Sequence, residues 1–283
     1  IVKTKPSARD TQICATEKSY TSMSTSDDLY ARYGPIYRWL VTTAALLAFF
    51  VMVFASSMVN VAIPNVMGTF GVGQDKAQFL TSAFLATTVA SLLANTWLIA
   101  RFGQPIIFQA CIIIFVIGSF ISTFSPTLDM IIFGRIVQGF GAGVIQPLIM
   151  VLLFDIFPAD KRGIAMGFFS MGVGFALGLA PALGGVVVDL LGWRYVFLIP
   201  IPVALLSLVL GVFFIPERKS RGPAGKFDYL GYALMCSFVF CLMTILGNGQ
   251  RWGWASDTVA LLSALMVFSL VGFVYSQRRP NGN

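Results

Sequence analysis

The sequence predicts an all-α polytopic membrane protein, a six-helix bundle followed by two additional transmembrane helices. Three observations predict it. The 283 residues are 57% hydrophobic and only 11% charged, with a mean hydropathy of +0.82, which is more apolar surface than a soluble fold of this length can bury. Eight apolar runs succeed one another, each close to the roughly 20 residues with which a helix crosses a bilayer. The lysines and arginines gather in alternate loops between those runs. Histidine is absent, which removes the usual general base, proton shuttle and commonest metal ligand. Without it, and without an embedded carboxylate or nucleophile constellation, an enzyme is disfavoured and neither a cofactor nor a metal is expected. Cys14, Cys111, Cys236 and Cys241 lie in the tail or in apolar runs and indicate neither a disulfide framework nor a metal knuckle.

Taken in order, residues 1–38 are polar, lack an apolar run and are expected to form a disordered cytoplasmic tail. Met23 opens a stretch that reads as an ordinary start, so residues 1–22 are expected not to be native. Spans are expected over 39–62, 77–100, 106–124, 128–154, 163–188, 196–215, 229–246 and 258–275. Turn chemistry marks 64–75, 101–105 and 247–257 as connections, and such short turns imply antiparallel neighbours. The first six spans form one bundle, residues 39–215. A charged linker, 216–228, contains Gly222-Pro223-Ala224-Gly225 and separates it from the two extra helices, 229–276, and a truncated end, 277–283. With the N-terminus inside, every lysine and arginine outside the spans falls on the inner side except Lys76, Arg194 and Arg251. Both termini are therefore expected in the cytoplasm. The net charge of +7 is then a topology signal; cations dispersed among membrane loops do not point to nucleic acid.

One formal charge lies well inside a span. Arg135 follows Asp129 by six residues, about 9 Å along the fourth helix, and an arginine in hydrocarbon costs several kcal/mol unless it faces a polar cavity or a partner. The alternative is an arginine snorkelling to the interface. Gln138 and Gly139 share its helical face, so that face is expected to be a pore wall packed closely on a neighbour. The fifth span is dense in glycine: Gly174 and Gly178 form a small-xxx-small pair, Pro181 bends the helix, and Gly184 and Gly185 follow. That seam admits another helix at backbone distance; ordinary packing is the alternative. Arg101 and Gly103 face the end of the fourth span, where Asp155 either forms a latch with Arg101 or stands as an independent solvated charge. Ser57 and Asn60, just before Pro64, either line a cavity or bond backbone carbonyls. Phe84 and Trp97 either bind lipophilic ligands or, as 26 phenylalanines in the chain favour, are packing or lipid-facing residues, and Trp193, Trp252 and Trp254 read as interfacial anchors.

Several of these stretches resemble the major facilitator superfamily, and within it the fourteen-span drug:proton antiporters of the EmrB/QacA type, over about residues 39–279. The run from Ile131 through Arg135 to Gly143 is similar to the fourth-helix motif, whose arginine the resemblance assigns to proton coupling. Gly174 to Gly185 looks like the fifth-helix antiporter motif, with Ala180-Pro181 for its usual Gly-Pro, and Asn60 to Pro64 resembles the end of the first-helix motif. Phe227 to Gly231 and Gly249 to Trp254 look like the two extra helices of this branch. Ala55 stands where the family has an aspartate, and the inner-loop motif keeps only Leu98, Arg101 and Gly103. The resemblance implies proton-coupled multidrug or amphiphile efflux by alternating access in the inner (plasma) membrane. Its partners would be a small lipophilic or amphiphilic substrate, protons, the lipid bilayer and a periplasmic adaptor protein. It also implies six further helices downstream, holding the proton-carrying acid. A symporter or metabolite carrier of the same superfamily, and a non-transporting receptor or scaffold, are the rival readings.

Overall fold

The structure, a computed structural model, describes Gly34 and residues 36–216 and 227–278. The expected tail up to residue 33, Pro35, most of the linker and residues 279–283 lie outside the described residues, as do Cys14 and the tail and linker cations other than Arg38. Eight helices among the described residues are long and apolar enough to cross a membrane: α1 (Ile36–Phe70), α2 (Gln74–Phe102), α3 (Gln104–Thr123), α4 (Leu128–Ile156), α5 (Ala159–Leu190), α6 (Tyr195–Phe214), α7 (Tyr229–Trp252) and α8 (Asp257–Arg278).

Local chemistry explains the boundaries, and in two places corrects the sequence expectation. Residues 64–75 were expected to be a turn, yet α1 runs on through Pro64 to Phe70. Proline removes one helical hydrogen bond but leaves the others intact; beyond it, Thr69 Oγ1 donates to Asn65 O at 2.8 Å. The chain reverses only at Gly71, whose φ of +61° is open to glycine at no steric cost. Likewise α7 continues to Trp252, so most of the expected 247–257 turn is helical. Between α2 and α3 a single residue, Gly103 at φ +85°, breaks the helix, and Pro105 in the first turn of α3 restarts it. Thr127 caps α4 by accepting from Met130 N at 3.3 Å, and Asp228 caps α7 by accepting from Gly231 N at 2.8 Å.

Packing is not simply antiparallel neighbour on neighbour, as the short turns implied. Sequential pairs pack extensively only in α3–α4 and α7–α8. Instead α1 lies between α5 and α6, and α4 lies between α2 and α3, so the leading helix of each three-helix set is seated in the other set. α6 also touches α3, while α7 rests on α2 and carries α8 outward. Burial follows this order: 61% of the central stretch of α4 is buried against 11% of α8. The core has two clusters. One, around Phe108, Phe115, Ile145 and Leu148, fills the space among α1, α3 and α4; the other, around Met58, Leu80, Ile131 and Phe197, lies toward the end that carries Trp193.

Glycine sets the spacing at the centre. A Cβ on Gly118 would lie 2.7 Å from Gly134 O, and one on Gly134 would lie 2.9 Å from Gly118 O, so α3 and α4 touch through their backbones. On the other side of α4, a Cβ on Gly139 would lie 2.5 Å from Phe84 O, and one on Gly143 would collide with Thr88 O. Side chains at these positions would force the helices apart.

Candidate functional site

Arg135 projects from α4 at the level where α2, α3 and α4 meet, and it is fully buried. Its Nε donates to Leu80 O at 3.1 Å, and its Nη1 donates to Gln138 Oε1 at 2.9 Å. The Phe84 ring lies 4.0 Å from the guanidinium carbon. Leu80 and Phe84 are one turn apart on α2, so a single helix face supplies both a carbonyl and a ring. Gln138 Nε2 in turn donates to Ser119 Oγ at 2.7 Å, and Ser119 Oγ to Phe115 O at 3.0 Å. The Gly118–Gly134 contact draws α3 close enough for that reach. The result is a polar chain across three helices in which every partner of the cation is neutral. Arg135 Nη2 and Ser122 Oγ are buried with no hydrogen-bond partner. A buried cation without a counter-charge is costly, and neutral hydrogen bonds and a ring offset only part of that cost.

This corrects the pore-wall expectation. Arg135 and Gln138 are both fully buried, so in this conformation they face packed helices rather than an open cavity, and Gly139 is the glycine that admits the Phe84 backbone. At the end of the bundle marked by Gly103, one partner of Asp155 is a residue the sequence reading did not offer. Gln104 Nε2 donates to Asp155 Oδ2 at 3.0 Å, while Arg101 is exposed. Gln104 is buried beside the helix break, and its planar amide reaches the carboxylate without the desolvation that an arginine would incur.

The fifth-helix seam is placed unexpectedly too. A Cβ on Gly174, Gly178 or Gly185 would meet nothing within 4 Å, and Pro181 is exposed. Gly184 alone of this group packs, against Met58 and Val61 at 3.5 Å. Among the described residues, therefore, close helix approach belongs to α4, and the glycine face of α5 is open. Asn60 accepts from Thr81 Oγ1 at 2.8 Å and lines a cavity of about 440 Å³ with Gln78, Ser82 and Leu246. Ser57 is half-buried on the preceding turn, and Pro64 is helical. Trp193 is not an interfacial anchor: it is 7% exposed and donates Nε1 to Thr69 Oγ1 at 3.0 Å, with the Arg194 guanidinium 4.7 Å from its ring. Trp252 and Trp254 are exposed. No group of three or more acidic, cysteine or histidine side chains among the described residues could hold a metal.

Sequence reasoning missed Ser119, Gln104 and the role of Phe84. Ser119 carried a signal, a hydroxyl beside a glycine in an otherwise apolar run. Gln104 carried none.

Eight helices of spanning length, three of which enclose a buried, neutrally partnered arginine, define a polytopic α-helical membrane protein. The chain belongs to the Major Facilitator Superfamily, whose sequence profile matches residues 45–279. It is 30% identical over 236 residues to the multidrug export protein EmrB of Haemophilus influenzae, covering 83% of this chain and 46% of that protein. It is 31% identical over 237 residues to the probable multidrug resistance protein EmrY of Escherichia coli, again covering 83% and 46%. The chain thus spans about half the length of the curated relatives it matches. A solved peptide transporter, POT, superposes with a TM-score of 0.60 at 18% identity, over 85% of this chain and 52% of that one. The proton:xylose symporter XylE superposes with a TM-score of 0.57 at 17% identity, over 85% and 55%. At these identities the two solved structures support the fold alone.

Proposed function

We propose that this chain is the N-terminal part of a proton-coupled exporter of lipophilic or amphiphilic compounds that works by alternating access. The observation that carries the reading is Arg135: a fixed positive charge, buried among neutral partners with Nη2 unsatisfied, responds to any acid or proton that approaches it. Gln138 relays its position to α3, and Gly139 lets α2 lie against it. The open face of α5, with Gly174, Gly178, Pro181 and Gly185, is where a second bundle would dock and rock, in the manner of transporters with repeated halves, while Gly184 seats the helix on α1 behind it. Gln104 and Asp155, beside Gly103 and Arg101, tie α3 to α4 at one end and act as the latch of one conformation. Ser57 and Asn60, with Pro64 beyond them, contribute the polar wall on α1. Both termini lie in the cytoplasm of a multi-pass inner-membrane protein, with substrate and protons as small partners and an adaptor protein on the far side. The names of the EmrB and EmrY relatives support export.

The test is flux in proteoliposomes holding the full-length protein. With a proton gradient imposed, Arg135→Ala and Arg135→Lys should each lose most gradient-driven efflux of a fluorescent amphiphile, because lysine cannot make the forked contacts to Leu80 and Gln138. Efflux at the native rate in either variant sinks the reading. The fold-level likeness to a proton:xylose symporter keeps one alternative in view, and substrate and proton moving in the same direction would establish it.

A further inference from the structure

The additional helix α7 does more than extend the chain: with α1 and α2 it encloses the cavity of about 440 Å³ that Asn60 borders, a size that suits a small organic ligand. The spacing of residues on α2 separates this cavity from Arg135. Leu80 and Phe84 turn one face of the helix to the arginine, whereas Gln78, Thr81, Ser82 and Leu85, three and four residues apart, turn another face to the cavity. From α7, Met243, Leu246 and Gly247 close the far side. Leu85 and Leu246 are exposed, so the apolar part of a ligand can extend outward between the helices.

The hydrogen-bonding capacity left over in the wall has a definite character. Asn60 Oδ1 accepts from Thr81 Oγ1 at 2.8 Å, and Gln78 Nε2 donates to Gly247 O at a long 3.4 Å. That leaves the Nδ2 hydrogens of Asn60 as donors, Gln78 Oε1 as an acceptor and Ser82 Oγ as both, none of them bonded to another described residue. An ammonium only donates and a carboxylate only accepts, so either leaves part of this set unmatched; a hydroxyl or an N–H amide matches all of it. Among the described residues, no ionisable side chain lines the cavity. Those nearest along the helices are Asp75 and Lys76, within a turn of Gln78 and opposite in sign, Arg251, a turn beyond Gly247, and Arg135 on the far side of α2. Asp75, Lys76 and Arg251 are exposed. The positive N-terminus of α2 and the negative C-terminus of α7 lie at the same end and offset each other. With all of these counted, no acid is left over to hold a cation and no basic side chain borders the cavity to hold an anion, so a charged ligand would be desolvated without a counter-charge.

We infer that the cavity among α1, α2 and α7 binds an uncharged ligand whose polar head is a hydroxyl or an N–H amide, held by Asn60, Gln78 and Ser82, with its apolar part against Leu85 and Leu246. Because α7 supplies one wall, the occupant bridges the six-helix bundle and the additional helices. The inference stands apart from the export reading: it is measured as occupancy with no gradient imposed, and native-rate efflux in an Arg135 variant leaves it untouched. The ligand chemistry has two sources, a soluble solute or a hydroxyl-bearing lipid such as a diacylglycerol. Full-length protein in phosphatidylcholine nanodiscs would be irradiated with the photoreactive alcohol azioctanol and, separately, with the amine and the carboxylic acid of the same chain, and the labelled peptides mapped by mass spectrometry. The alcohol is expected to label the segments holding Gln78 to Leu85 and Met243 to Gly247, with the amine and the acid at background there. Ser82→Ala removes a hydroxyl that no other described side chain uses, so the fold is kept while labelling by the alcohol falls about fivefold; Gln78→Leu should lower it as much. Dioleoylglycerol in the nanodisc abolishes labelling if the occupant comes from the bilayer, and excess hexanediol in solution does so if it is a solute; protection by either supports the site. Label confined to other segments, indifference to both substitutions, protection by neither competitor, or equal labelling by the amine or the acid overturns it.

Discussion

Arg135 was legible in the sequence because a lone charge in an apolar run has few explanations, but its surroundings were not. Gln138 was visible as a neighbour one turn on, whereas Leu80 O, Phe84 and Ser119 come from helices remote in sequence. Gln138→Leu removes the acceptor of Arg135 Nη1 and the donor to Ser119 together, leaving a buried cation with one hydrogen bond fewer; a loss of about 2–4 kcal/mol of stability is expected, read as a fall in thermal midpoint in detergent. Ser119→Ala removes only the far end of the chain, and about 1 kcal/mol is expected by the same measurement. The Gln104–Asp155 contact was illegible for a different reason. Choosing between Arg101 and Gln104 depends on which side of the Gly103 break turns inward, and that is set by how α3 seats on α4.

The helices repeat this division. Their existence and order follow from apolar runs and turn residues, and all eight are found where the runs lie. Errors concentrate where one residue type serves two purposes. Pro64 reads as a turn but costs α1 a single hydrogen bond far from the centre of the span, so the helix absorbs it. Glycine spacing on α4 and on α5 looks equally suited to close packing, yet only α4 has a neighbour at backbone distance. Gly143→Ala should therefore be severe, forcing a methyl into Thr88 O and costing about 1–3 kcal/mol, with lower folded yield on expression. Gly174→Ala should leave the folded yield of this bundle unchanged. If that variant nevertheless abolishes flux in the full-length protein, the open face is engaged by something beyond the bundle.

At the scale of the molecule, the arrangement of ends makes a topological prediction. Pro126 and Ser256 sit in connections at the end that carries Trp193, while Arg101 and Asp160 sit at the other. Single cysteines at the first pair, in a cysteine-free background, should react with an impermeant maleimide added to intact cells, and those at the second only after the membrane is opened. Reaction of both pairs from one side would contradict the bundle. The seating of α1 between α5 and α6, described above as a packing pattern, also bears on how the chain is made. Within this bundle α1 has its main neighbours, α5 and α6, more than a hundred residues behind it centre to centre, roughly 6–30 s later at ordinary rates of synthesis. During that interval Ala44, whose carbonyl accepts from Ser207 Oγ of α6 in the finished fold, waits for that partner. A chain arrested after α3 therefore lacks both helices on which α1 is mainly seated, and it should be a substrate for quality control rather than a stable half.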